Sequence, residues 1–267
     1  MAAKRPAGKP ASTAVVQRAQ VQLPAEVQEQ MAADIAAFQQ RMSAPTGNRI
    51  AVTQDKKFRN AAGDKYDRFS GVIVDFIAKK AWYEGEYDKD NVVPPNCFAM
   101  GFVPHDALEC SENSPEPQHT DGCKTCPKNA FKSAKNGKGK ACKDSYILAL
   151  LPPDAEEGAS LVTIELSATA IKPFEKYVRD LARDFGKAPY CFVTDFYFDN
   201  TLDYPSVRCG NPQIADGNLI ALAYSMREEA GKLLSVEPNV ADFEEKVAAK
   251  PKAKGKPKGK PNGRVAR

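Results

Sequence analysis

The chain is expected to fold as a mainly β protein of the α+β kind, a small closed sheet with accessory helices and an inserted metal-binding module. Three observations predict this. Short runs rich in β-branched and aromatic residues recur from residue 49 to residue 209. One helical run falls between two of them and one follows the last, so the strand-helix alternation of a doubly wound parallel sheet is missing. A polar segment at 104–144, rich in cysteine and lysine, interrupts the series. No repeat at a solenoid period is present.

The strand runs, in order, begin with 49–58 (RIAVTQDKKF) and 69–83 (FSGVIVDFIAKKAWY). In the second, strict alternation puts Val72, Val74, Phe76 and Ala78 on one face and Ile73, Asp75, Ile77 and Lys79 on the other. Further strands are expected at 97–103 (CFAMGFV), 145–151 (SYILALL) and 160–166 (SLVTIEL). A helix follows, with Pro173 in its first turn, an apolar stripe of Phe174, Val178, Leu181 and Phe185, and Gly186 as its stop. Strands at 190–198 and 204–209 come next, and then a helix near 218–234 with Leu219, Leu222, Met226, Ala230 and Leu233 as its stripe. Upstream, Val27, Met31, Ile35, Phe38 and Met42 recur at helical spacing and predict an amphipathic helix over 23–44. Segments 1–22 and 241–267, poor in apolar residues and rich in Lys, Pro, Gly or Ala, read as disordered basic arms around a domain at 45–240.

At 267 residues, with 42% hydrophobic and 27% charged, the composition is that of an ordinary globular protein. No stretch approaches the roughly 18 apolar residues of a membrane helix. The N-terminal segment lacks the apolar core of a secretory signal, and seven cysteines then suggest a reducing, cytoplasmic setting. The formal net charge is only +4, but segments 1–18 and 248–267 carry +4 and +8, leaving −8 on the body. Within that acidic body, residues 124–143 hold seven lysines and no acid, a concentrated site for a polyanion.

The strongest motif is Cys110-x12-Cys123-x2-Cys126-x15-Cys142. Four thiolates are what a tetrahedral structural zinc requires. The residues between them are nearly all polar, so ligation rather than apolar burial would give the segment its structure. Two alternatives are His119 replacing Cys110 and a metal-free loop. Cys97, Cys191 and Cys209 fall in expected strands and read as core thiols. No Glu is placed as a zinc deaminase needs, and no nucleophile elbow, zincin or P-loop motif occurs. The expectation is therefore a binding protein and not an enzyme. A Mg2+-dependent nucleic-acid enzyme using Glu165, Asp195 and Asp199 is the rival from another class.

Aromatic residues interleaved with cations are the composition of a single-strand groove, where bases stack on rings and lysines meet phosphates. The candidate contacts are Lys56, Lys57, Phe58, Arg59, Lys80, Trp82, Tyr83 and Tyr146, together with Lys124, Lys128, Phe131, Lys132, Lys135, Lys138, Lys140 and Lys143 of the insertion.

The segment CKTCPKNAFKSAKNGKGKACKDSYILALL (123–151), followed by SLVTIELSATAIKPFEKYVRDLA (160–182), resembles phage-type single-stranded-DNA-binding proteins of the OB fold that carry a zinc insertion. The resemblance implies an OB-like barrel at 45–240 including a zinc module at 104–144. It also implies one structural Zn2+ on Cys110, Cys123, Cys126 and Cys142, and non-sequence-specific single-stranded DNA as partner. A role in phage replication, recombination or repair in the bacterial cytoplasm follows, alongside replication or recombination proteins. An RNA-binding or transcription-associated zinc protein is the alternative. Where such proteins often end in an acidic tail, this chain ends in a basic one.

Overall fold

A computed structural model of the chain describes residues 49–85, 93–118 and 122–238. The basic arms, the helix expected over 23–44, and His119 lie outside the described residues. The protein is mainly β, and the described residues form nine strands in one curled sheet and three α-helices. The strands are β1 (Arg49–Val52), β2 (Phe58–Arg59), β3 (Lys65–Tyr66), β4 (Arg68–Trp82), β5 (Cys97–Gly101), β6 (Lys143–Leu151), β7 (Val162–Ser167), β8 (Phe192–Phe198) and β9 (Val207–Ile214). The helices are α1 (Ala168–Phe185), α2 (Gly217–Ser225) and α3 (Arg227–Leu234). The sheet runs β3-β2-β1-β7-β6-β4-β8-β9, with β5 added to β4.

β4 organises the sheet. Its 15 residues would span about 50 Å if straight, long enough to pair with three other strands. One edge pairs with β6 from Val72 to Ala81. The other pairs with β8 over Arg68–Val72 and with β5 over Ala78–Trp82. A register shift between Ile73 and Asp75 supplies the bend. That shift also corrects the strict alternation expected of this strand. Val72, Val74 and Ile77 enter one apolar cluster, and Ile73 and Ala78 enter the other with Phe76 packed beside them. The extra residue at the bulge moves every later side chain to the opposite face.

Both faces of the central strands are covered, which accounts for the unbroken apolar run of β6. Tyr146, Leu148 and Leu150 lie in the cluster beneath α1, and Ala149 and Leu151 in the cluster beneath α2 and α3. Among the described residues the strand path is not closed by hydrogen bonding. α1 packs against β6, β7 and β9, and Phe58 of β2 stacks on Phe198 of β8 at 4.4 Å, so side chains join the two ends of the curl.

α1 starts at Ala168, which places Pro173 inside the helix and not in its first turn. The missing N–H of Pro173 leaves the carbonyl of Thr169 without its helical partner. The buried Ser206 hydroxyl donates to that carbonyl at 3.2 Å, so the helix continues through the proline. Gly186 ends it in the left-handed region, φ 61°, as expected. The last helical run is two helices meeting at Met226, opened by Asp216, whose carboxylate accepts from the amides of Asn218 and Leu219.

Candidate metal centre and nucleic-acid interface

The cysteine-rich insertion joins β5 to β6, so it leaves from one side of β4 and returns on the other. Its first turn is pressed onto the sheet. A Cβ at Gly101 would stand 3.0 Å from Leu108 Cδ2, and Leu108 is buried in the main core. Backbone bonds then hold the segment beside β5. The Ser111 amide donates to Phe98 O at 2.8 Å, Glu116 to Asn96 O at 2.7 Å and Cys123 to Leu108 O at 2.8 Å. The buried Ser114 hydroxyl accepts from the Phe98 amide at 3.0 Å.

The Cys123–Cys126 knuckle is a tight turn carried on by a single 3-10 turn at Pro127–Asn129. The Asn129 amide donates to Cys126 O, and that of Cys142 donates to Lys128 O, each at 2.9 Å. Together these bonds bring Cys110, Cys123, Cys126 and Cys142 to one cavity, whose wall also holds Trp82, Cys97, Gln118, Lys128 and Asn129. The cavity measures about 10 Å³, room for roughly one water-sized atom. All four cysteines singled out by spacing are therefore gathered. Cys97, read from the sequence as a core thiol, lies with them. Nothing in the spacing marked it, because it reaches the cavity from the sheet, opposite Trp82 in the β4–β5 ladder.

The donor set suits a soft or borderline cation. Among the described residues, no three His, Cys, Asp or Glu side chains already converge as a finished ligand cage, so the sulfurs would have to turn inward on a common ion. Burial pushes the Cys123 thiol up to about 11 and the Cys142 thiol up to about 12, with the Lys80 ammonium opposing both. A bound divalent cation deprotonates such thiols outright.

Lys80 belongs to this centre and not to a DNA groove. Only 1% of it is exposed. Its Nζ donates to Asn129 Oδ1 at 3.0 Å and to Asp144 Oδ1 at 2.5 Å. Lys140 Nζ reaches the same two residues, each at 3.0 Å, and Asn129 Nδ2 donates to Cys123 O at 2.9 Å. Burial disfavours the ionised Asp144 carboxyl, but hydrogen bonds from Lys80 and Lys140 outweigh it and hold the carboxyl below its ordinary range. These side chains fasten the knuckle to β4 and β6. A divalent ion on four thiolates would be left doubly negative; the buried Lys80 ammonium, ion-paired with Asp144, is a cation close to the cavity.

Three expected stacking residues are also buried. Phe58 packs between Phe69 and Phe198 in the core. Trp82, 8% exposed, walls the cysteine cavity with Lys128 Nζ 4.2 Å above its ring. Tyr146 lies in the core and donates its hydroxyl to Glu175 Oε1 at 3.1 Å. Lys56 is turned inward to the carbonyl of Leu202, and Lys57 pairs with Asp67 at 2.5 Å.

The remaining candidates face solvent. Arg59, Tyr83, Lys124, Phe131, Lys132, Lys135, Lys138 and Lys143 are exposed. Phe131 stands out at 74% exposure. Its neighbour Lys132 occupies the left-handed region at φ 72°, which costs an ordinary residue about 1–2 kcal/mol. Backbone strain and an unburied ring thus coincide at the tip of the insertion.

The three carboxylates of the rival enzyme do not share a site. Glu165 is held by Arg49, Lys79 and Ser145, Asp195 by Ser70 and Asn211, and Asp199 by Arg208 and Thr201. Comparison with known protein families, curated proteins and solved structures finds no match to this chain.

Proposed function

We propose that the protein is a non-enzymatic single-stranded-DNA-binding protein, built on an OB-like barrel with one structural zinc in its β5–β6 insertion. The observation that carries this reading is the tip of the insertion, where an aromatic ring at 74% exposure sits among exposed lysines on a segment gathered around a cysteine cavity. An unburied ring loses hydration cost when a base stacks on it, at about 1–3 kcal/mol per base, and each lysine adds a salt-dependent phosphate term.

The strand order supports the barrel. A long coiled strand pairs with the β6-β7 meander on one edge and the β8-β9 hairpin on the other, and a helix lies between the two pairs, as in a partly open five-stranded barrel. Cys110, Cys123, Cys126, Cys142 and the neighbouring Cys97 are the residues available to hold the ion. When bound, zinc supplies a cross-link and charge neutralisation, not chemistry on the strand. Lys80, Asn129 and Asp144 keep the module in register with the sheet, and Phe131, Lys132 and Lys135 meet the ligand.

The deciding experiment is a gel shift with single- and double-stranded DNA and a matched RNA at two salt concentrations. Preferential, salt-sensitive retention of the single DNA strand is expected. Equal or tighter RNA binding would move the assignment to RNA, and preference for duplex would end it.

A further inference from the structure

The face of the sheet turned away from α1 becomes polar beyond α2 and α3. Strand alternation assigns its residues. Ile50, Phe58, Ile164 and Leu166 face the cluster beneath α1, so Arg49 of β1, Arg59 of β2 and Glu165 of β7 stand on the opposite side. Ile147 packs on the cluster beneath α2 and α3, and Ser145 and Lys143 continue its side of β6 toward the insertion. The Glu165 carboxylate accepts from Arg49 Nη2 at 2.8 Å, Lys79 Nζ at 3.0 Å and the Ser145 hydroxyl at 2.8 Å. Two cations and a hydroxyl are also the donors a phosphodiester takes. The three holds are not equally firm. The Lys79 side chain is 13% exposed and Ser145 is buried, whereas the Arg49 side chain is 57% exposed. An exposed ion pair contributes little to stability, so Arg49 can change partner at small cost. Arg59 is exposed and diagonal to Arg49 in the β1–β2 ladder, about 7–8 Å away and within reach of the same anion.

We infer that Arg49 and Arg59 form a second phosphate-binding position on this face, and that Glu165 sets its strength by competing with the phosphate for the Arg49 guanidinium. The inference rests on the single-strand reading above and extends the contact from the insertion to the sheet. Lys143, exposed at the foot of the insertion, lies on the same face, and β6 is three strand spacings from β2, about 14 Å. One polynucleotide can therefore touch both ends. In the free protein the guanidinium rests on Glu165. In the complex it turns to the phosphate, while Lys79 and Ser145 stay on the carboxylate.

Anisotropy of a labelled oligothymidylate with the full chain across a salt series tests this, with Lys176→Gln on the exposed side of α1 as the control. One phosphate contact changes the slope of log affinity against log salt by about 0.7, or about fivefold per tenfold of salt. Arg49→Gln is expected to lower the slope by that amount. Glu165→Gln should tighten binding about two- to fivefold, the worth of the exposed pair it releases. Added to Arg49→Gln, the same change should bring no gain, because the competition is for that one guanidinium. Glu165→Gln also strips the partner from a nearly buried lysine, so chemical denaturation checks its fold. Arg49→Gln leaves the Lys79 pair in place and decides the matter by itself if the other variant is unfolded. Wild-type affinity and slope in Arg49→Gln, or a folded Glu165→Gln that binds no tighter, overturns the inference and leaves Glu165 as the counter-charge of Lys79 alone. A wild-type chain that retains no single strand at low salt removes the single-strand reading itself.

Discussion

Replacing Phe131 by Ala separates binding from folding more cleanly than any other change at the insertion tip. The ring is 74% exposed, so only about a quarter of its roughly 200 Å² is sheltered. At about 25 cal/mol per Å², that shelter contributes at most about 1.3 kcal/mol to stability. If a base stacks on the ring, truncation removes about 1–3 kcal/mol of binding, roughly 5- to 150-fold in affinity. Because no phosphate contact is lost, the slope of log affinity against log salt should not change. Lys135→Gln should do the reverse, lowering the slope by about 0.7 for a single strand while altering low-salt affinity modestly. Fluorescence anisotropy of a labelled oligothymidylate across a salt series reads both quantities. Unchanged affinity in Phe131→Ala at every salt concentration would refute the argument that the insertion tip is a stacking platform.

Other outcomes follow from the interior. Trp82→Ala should cost about 3–5 kcal/mol in chemical denaturation, because the ring fills the wall of the cysteine cavity and is not a stacking surface. Since Trp82 is the only tryptophan, its emission should shift on chelation, and a silent fluorophore would argue that no ion occupies the cavity beside it. The Asp144 carboxyl is held below its unfolded value of about 3.9. Its contribution is therefore complete above about pH 4 and is lost as the pH falls through the depressed folded value. Asp144→Asn should flatten that acid limb of the stability profile in urea titrations, and an unaltered limb would contradict the clamp. Ser206→Ala removes the donor to Thr169 O above Pro173 and should lower stability by about 1–3 kcal/mol, with Pro173→Ala partly restoring it by returning a helical N–H.

Elements with strong local periodicity were legible in the chain. β6 and α1 appear within a few residues of their expected spans because a continuous apolar run and a glycine stop are local signals. The faces of β4 were not legible, since its bulge is fixed by pairing with β6 across the sheet and leaves no mark in the strand's own alternation. The knuckle announced itself by spacing, whereas Cys97 reaches the same cavity through strand pairing. Lysine was the least informative residue type. Lys80 and Lys135 look alike in sequence, yet one is buried on Asp144 and Asn129 and the other faces water. Which of the two applies is decided by a carboxylate 64 positions away.

The insertion departs from β5 at Gly101, across from Ala78, and rejoins the sheet at Lys143, across from Ala81. It therefore straddles the principal strand like a saddle, with both girths sewn into ladders that need no ion. If the proposed ion is held there, its withdrawal would slacken the seat and leave the animal standing: the apo protein should still melt as a folded body while any grip of the insertion on a strand is lost. On the proposed reading, durability and grip would then answer to separate controls, and scarcity of the ion would disarm the molecule before unmaking it.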